Sequence, residues 1–276
     1  MVDKIIKLYK KCGQTPLECI NQLKKTNNLL INTPITYAGR LDPLAEGVLI
    51  ALTGKECLNK DIYLALPKEY ELTVLFGFST DTYDLMGKVE DKISQEELFE
   101  RSSDFLAKNF KGRGQTISNS SSYFISKIQK VIPKFIGIID QPYPVYSSRT
   151  VKGKPLFKWA REGRLNEIEI PSHKVRVDNI EIIKEGQINS KALLKKIKNI
   201  VGLVNGDFRQ DEIISIWKKI LSEKNQEYKT LKLKVSCGSG VYVRSIAHEL
   251  GQMLGLPALA FKIVRTKVGN YSIKKL

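Results

Sequence analysis

Ala38-Gly39-Arg40-Leu41-Asp42-Pro43-Leu44-Ala45-Glu46-Gly47-Val48-Leu49-Ile50 sets one carboxylate in a Gly- and Pro-punctuated turn, flush against an apolar run. Asp42 has no adjacent acid with which to share a metal and no nearby His to work with. Two roles are open to it. It can cap the segment that follows, or it can be a solitary nucleophile or acid at the edge of a core. Spacing alone favours the cap, because Asp is common in turns. Val48 to Leu52 reads as a buried strand or a short apolar helix, which periodicity cannot separate.

Working outward, the strongest bulk signal is charge. The 276 residues carry 45 Lys+Arg against 29 Asp+Glu, a formal +16. That excess calls for a polyanionic partner, nucleic acid or an anionic membrane surface. No apolar run reaches membrane-spanning length, and the N-terminus does not read as a signal peptide. Cys12, Cys19, Cys57 and Cys237 show no paired metal spacing, and His173 and His248 are the only histidines. The expectation is a cytoplasmic protein with no metal and no membrane association.

Ile5 to Lys10 alternates as a short strand. Thr15 as N-cap and Pro16 at the first helical position open a helix with Leu17, Ile20 and Leu23, running to about Asn27. Tyr70 to Phe78 is the clearest strand, with Tyr70, Leu72, Val74 and Phe76 sharing one face. Tyr70 ends that face, where a phenol can reach a pocket or close the core. Ser79 to Asp84 is polar turn chemistry, Gln95 to Phe110 an amphipathic helix, and Gly112 to Ser126 a Gly/Ser/Asn-rich loop.

Gln141 to Arg149 is extended and aromatic, with Tyr146 beside Arg149 and the lysines that follow. Such interleaving suits unpaired nucleotides, although tyrosines packed back onto the body would look the same. Val175 to Ile183 is a strand. Ser190 caps a helix carrying Leu193, Leu194, Ile197 and Val201, and Ile213, Trp217 and Ile220 mark another; their lysine-rich faces read as solvated surface. Leu231, Leu233 and Val235 form a strand. Val241 and Val243 alternate with Tyr242 and Arg244, and Ile246, Leu250 and Leu254 make a helical stripe stopped at Gly255-Leu256-Pro257. A last strand covers Ala260 to Val268. The pattern predicts an α/β (α+β) fold with a mixed, largely antiparallel central sheet and flanking helices.

Several blocks, in this order, resemble the TruB-type tRNA pseudouridine synthases. Gly39-x-Leu41-Asp42-Pro43-Leu44-Ala45-x-Gly47-Val48-Leu49 is similar to that family's catalytic motif, and Lys68-Glu69-Tyr70 to its Lys-x-Tyr. Gly77-x-x-Thr80-Asp81-Thr82-x-Asp84-x-x-Gly87 follows. Gln141 to Ser148, continuing to Ala160-Arg161-x-Gly163, resembles the thumb-like loop, and Cys237-x-x-Gly240-x-Tyr242-Val243-Arg244 the Arg-bearing motif.

The resemblance implies the pseudouridine synthase fold and isomerisation of the T-loop uridine of tRNA, conventionally numbered 55, without cofactor or metal. Asp42 is then the nucleophile, attacking the sugar C1′ or assisting by elimination. Arg244 pairs with it to keep it ionised. Tyr70 stacks on the flipped uracil and takes the C5 proton as general base, and Ile263 packs on the base. Tyr37, Arg40, Tyr242, Tyr146 and Arg149 complete a substrate-binding rim for the T-stem-loop.

Four departures stand out. Tyr37-Ala38-Gly39 replaces the usual His-Thr-Gly, and Arg40 creates Arg-Leu-Asp, typical of families acting on ribosomal RNA. The first motif, Lys10-Lys11-Cys12-Gly13-Gln14-Thr15, lacks its Pro, and Thr150 stands where a Lys is common. The expected organisation is a monomer with one catalytic domain over 1–276. It has a thumb-like loop near 141–165, a helical insertion near 187–228, and no C-terminal RNA-binding (PUA-like) domain. A synthase for ribosomal RNA and a non-catalytic tRNA-folding chaperone are the rival readings.

Overall fold

Alternating apolar residues build the sheet, and helical stripes cover both of its faces. The computed structural model describes residues 3–93, 97, 120–222 and 226–273. β1 (Lys4–Lys10) leads into α1 (Pro16–Thr26), then β2 (Ile35–Ala38) and β3 (Glu46–Thr53). After α2 (Lys60–Ala65) come β4 (Lys68–Phe76), β5 (Phe78–Thr80) and β6 (Val89–Lys92). α3 (Ser120–Val131) precedes β7 (Gly137–Pro142), the two-residue strands β8 (Thr150–Val151) and β9 (Lys154–Pro155), and α4 (Leu156–Arg161). β10 (Ser172–Asn189) and β11 (Glu227–Cys237) flank α5 (Ser190–Gly202) and α6 (Gln210–Ser222). α7 (Val243–Leu254), β12 (Ala258–Val268) and β13 (Tyr271–Ser272) follow.

Among the described residues, nine strands form one sheet in the order β1-β3-β12-β4-β11-β10-β7, with β2 on β3 and β13 on β12. Its ladders are antiparallel except β3 on β12, which run parallel at Val264↔Glu46 and Arg265↔Gly47. The mixed, largely antiparallel sheet predicted from the sequence is therefore present, and Val48 to Leu52 is strand. The parallel contact matters most: it brings the last long strand against the exit of the Asp42 turn.

Period two puts Tyr70, Leu72, Val74 and Phe76 on the face covered by α7 and α3, through Ile246, Leu250, Phe124 and Ile128. Phe76 and Phe124 meet edge to face at 5.0 Å. Leu75, Leu259 and Phe261 point the other way, into a cluster with Leu193, Ile197, Val201, Ile213 and Trp217 of α5 and α6. Trp217 is fully buried and edges onto Phe78 at 4.9 Å. Burial of a side chain that size is worth about 3 kcal/mol. So α5 and α6, whose lysine faces read as surface, also roof one side of the sheet.

Some boundaries differ from expectation. Gly112 to Ser126 was expected to be loop, yet α3 begins at Ser120. Phe124 and Ile128, four residues apart and fully buried, supply an apolar stripe that outweighs the weak propensity of the serine run. The part of that stretch before Ser120, and the Gln95 to Phe110 helix save Glu97, lie outside the described residues. Asn189, not Ser190, caps α5: its side chain accepts from Ala192 N at 2.8 Å. The alternation at Val241 to Arg244 stops at Tyr242, because Gly240 turns the chain (φ +88°) and Val243 opens α7. The segment read as a thumb-like loop contains the β8–β9 ladder and α4. β10 outruns Val175 to Ile183 because β7 pairs with its first part and β11 with the rest. α1 matches the prediction, with a Thr15–Glu18 capping box ahead of Pro16. No helix among the described residues is long and apolar enough to cross a membrane.

α7 also carries a pH-sensitive group. Burial pushes the Glu249 carboxyl from its ordinary 4.5 up to about 7. A raised carboxyl contributes stability below its unfolded value and loses it as pH climbs through the folded one. Glu249→Gln should therefore match wild type near pH 4.5 and exceed it at pH 8. The gain should be about 1–2 kcal/mol once partial exposure is discounted. Urea melts at both pH values check this; a difference that does not change with pH would refute it.

Candidate active site

The β2–β3 connection, Gly39 to Ala45, forms the floor of a cleft, and two buried cations hold it. The Lys10 ammonium donates to the carbonyls of Lys11 (3.1 Å), Pro43 (3.2 Å) and Ala45 (2.6 Å). Burial lowers its pKa to about 8. From the other side the Arg265 guanidinium donates to Val48 O (2.8 Å), Arg40 O (3.2 Å) and Gly39 O (3.5 Å). Gly47 is required where β12 passes: a Cβ there would lie 2.2 Å from Arg265 O, and its φ is +117°.

Asp42 is not a cap. Its carbonyl closes the turn by accepting from Ala45 N at 3.0 Å, while its carboxylate turns to Arg244. Arg244 Nε donates to Asp42 Oδ2 at 2.9 Å; the Arg244 side chain is 3% exposed and that of Asp42 39%. The two remaining nitrogens donate to Thr82 O (2.9 Å) and Tyr146 O (3.0 Å). One arginine in the first turn of α7 therefore ties the Asp42 loop, the Thr80–Asp84 turn and the Gln141–Arg149 segment together. Charge-assisted bonds of this kind are the strong ones. Asp84 sits behind it, accepting from Thr82 Oγ1 (2.7 Å) and Met86 N (2.9 Å). Burial pushes its carboxyl up to about 6, against the pull of Arg244.

The cleft has a volume of about 780 Å³, and Asp42, Tyr70, Arg244 and Ile263 all line it. Tyr37, Arg40, Tyr146 and Tyr242 line it too, so the sequence reading brought together one site. Arg149 does not line it; its guanidinium lies 5.0 Å from the ring of Tyr143, which does. Burial raises the Tyr70 phenol above its ordinary value, and the neighbouring Arg265 pulls it back. Arg40 donates to Ser148 Oγ, bridging the Asp42 turn to the segment after β7. Gln141 clamps the Tyr242 backbone, accepting from its N–H at 2.8 Å and donating to its carbonyl at 3.3 Å.

Lys10, Arg265, Asp84 and Gln141 were not picked out as site residues from the sequence. Arg265 left a usable signal. It pairs with Tyr70 as Ile263 pairs with Leu72, so a cation stands in register with an apolar face. Among the described residues, no group of three or more His, Cys, Asp or Glu side chains is placed to hold a metal ion.

The chain resembles known proteins over nearly its whole length. The model of the TruB family pseudouridylate synthase N-terminal domain matches residues 28–125 and 113–196. The tRNA pseudouridine synthase B of Chlamydia muridarum is 30% identical, over 99% of this chain and 83% of that protein. The tRNA pseudouridine synthase B of Ligilactobacillus salivarius is 28% identical, over 99% of this chain and 69% of that protein. In the crystal structure of a Cbf5-Nop10-Gar1 complex, one chain superposes with a TM-score of 0.53 at 17% identity. The match covers 98% of this chain and half (50%) of that one, a likeness of fold. The matches span the Asp42 turn, the Tyr70 strand and the Arg244 helix, and the chain belongs to the TruB family of pseudouridylate synthases.

Proposed function

We propose that this protein isomerises the T-loop uridine of tRNA, position 55, to pseudouridine, with Asp42 as the essential carboxylate. One observation carries the reading. Asp42 is oriented by a buried arginine 2.9 Å away yet keeps 39% of its side chain exposed to a cleft that Tyr70 and Ile263 share. A carboxylate meant only to stabilise the fold has no reason to stay open to a cleft large enough for a nucleoside.

The reaction breaks the N1–C1′ bond, turns the uracil and joins C5 to C1′; the C5 proton leaves and N1 gains one, so no atom is added or lost. Asp42 acts at the sugar, as nucleophile at C1′ or by assisting elimination, and Arg244 orients it without blocking it. After C5 attaches, its proton is acidic because losing it restores the aromatic ring, so a weak base suffices. Tyr70 stacks on the uracil and relays that proton: burial keeps it a phenol, so it takes the C5 proton as it passes its own to water in the cleft, with Arg265 easing the charge that develops on its oxygen. The target base has to leave its stack to reach Asp42, and unpaired loop nucleotides leave most cheaply. Tyr37, Tyr146 and Tyr242 offer ring faces for the displaced loop. The formal charge of +16 favours a polyanionic substrate. Arg40, the feature that pointed to ribosomal RNA, donates to Ser148 Oγ of the Gln141–Ser148 segment.

Incubation with an unmodified tRNA transcript followed by mapping of pseudouridine tests this directly. Conversion of the T-loop uridine is expected. Modification at another position, or of ribosomal RNA alone, would overturn it.

A further inference from the structure

The connection between α5 and α6 reaches into the cleft: Asp207, Phe208 and Arg209 all line it. Arg209 Nη1 donates to Asp81 Oδ2 at 2.6 Å and Nη2 to Asp81 Oδ1 at 3.3 Å, a two-pronged grip. Nη1 also donates to Tyr146 Oη at 2.7 Å, and the guanidinium lies 4.4 Å from the Tyr146 ring centre. The Arg209 and Asp81 side chains are only 17% and 15% exposed. Burial and the Asp81 charge push the Tyr146 phenol up to about 12, so it stays protonated.

The pairing repeats one already described. Arg244 holds the Thr80–Asp84 turn and the Gln141–Arg149 segment through the carbonyls of Thr82 and Tyr146. Arg209 holds the same two segments through the side chains of Asp81 and Tyr146. Two arginines from unrelated elements therefore grip one pair of segments. The outer one bonds to Asp81 and Tyr146, and the inner one bonds to Asp42 as well.

The loop is built to present Arg209. Its backbone takes a left-handed φ of +61°, unusual for a side chain of this size. Such conformations persist only where the surroundings over-determine them. Gln210 braces the turn, donating to Val204 O (3.0 Å) and Gly206 O (2.7 Å) and accepting from Phe208 N (2.9 Å). Arg161 of α4 reaches Asp207, and Asn205 donates to Glu18 of α1 at 2.9 Å.

The geometry points to Arg209 as a positioning residue, by which the helical pair α5–α6 locks the Asp81 turn onto Tyr146 and so holds Arg244 in the posture that aims Asp42. This rests on the proposed tRNA isomerisation for its kinetic readout but not for its structural one. A tie that merely fastens α5–α6 to the body is the competing role, and Trp217 and its neighbours already serve that purpose.

The test compares Arg209→Ala, Arg209→Lys, Asp81→Asn and the Arg209→Ala/Asp81→Asn double variant with wild type. Hydrogen exchange comes first, on the full chain without RNA. Faster exchange in segments 80–84 and 142–148 of Arg209→Ala, with β4 and β11 unchanged, is expected; unchanged exchange in both segments overturns the proposal whatever the substrate. Single-turnover rates on a tRNA transcript at saturating enzyme follow. Arg209→Ala should lose about ten-fold in rate with affinity within about three-fold, and Asp81→Asn should lose as much, since each change removes one partner of the same charged grip. The double variant should be no slower than either, and the lysine variant should fall between. Losses that multiply in the double variant, or a loss of affinity with the rate intact, would contradict the proposal. No conversion by wild type would count against the tRNA assignment instead.

Discussion

Asp42→Asn should abolish pseudouridine formation, a loss of at least about 10⁴-fold, as for other covalent catalysts stripped of their nucleophile. The variant should still fold. Asn is the same size, and its amide oxygen can accept the Arg244 Nε bond that Asp42 Oδ2 accepts now at 2.9 Å. Arg244 also keeps the carbonyls of Thr82 and Tyr146 and the nearby charge of Asp84. The melting temperature should therefore drop by only a few degrees. Affinity for tRNA should stay within a few-fold, because phosphate contacts dominate binding. Circular dichroism melts, filter binding at fixed salt and product mapping separate these outcomes. Loss of the fold would return Asp42 to a structural role.

Arg265→Ala should be the most destabilising single change at the site. Arg265 is 1% exposed, and its guanidinium donates to the carbonyls of Val48, Arg40 and Gly39. Truncation strands three acceptors and leaves a cavity beside Tyr70. Buried acceptors stripped of a charged donor cost about 3 kcal/mol or more in total. For a chain of this size that is a fall of roughly 10 °C in melting temperature. Activity should fall as well, since of the two buried cations that hold the turn's backbone carbonyls only Lys10 would remain. Arg265→Lys should recover part of the stability, as one ammonium can reach one or two of the three carbonyls. A melting temperature within about 2 °C of wild type for the alanine variant would mean the turn is fixed by other contacts.

The legible parts of this molecule were the local ones. An N-cap at Thr15, alternation from Tyr70 to Phe76 and the helix stop at Gly255 each rest on a few consecutive residues, and each is present. Asp42, Tyr70 and Arg244 could be grouped because each lies in a recognisable block. What could not be read was long range. Arg265 meets Val48 across 217 positions and Arg40 across 225, and nothing local marks it as buried rather than solvated. Arg209 reaches Asp81 across 128 positions. Lysine-rich α5 and α6 looked like surface because their outer faces are charged. Their inner stripe covers a sheet face that the sequence leaves without an obvious partner. The serine run at the start of α3 misled for the opposite reason: propensity spoke for a loop, and packing of Phe124 and Ile128 overrode it.

Release of the C5 hydrogen is the most direct measure of Asp42-dependent isomerisation at the T-loop. A tRNA transcript labelled with tritium at C5 of the T-loop uridine alone would be incubated with wild type and with Asp42→Asn. The expected result is release of one equivalent of tritium per tRNA by wild type and none above background by the variant. Release by Asp42→Asn at the wild-type rate, or none from that uridine by active wild type, would contradict it.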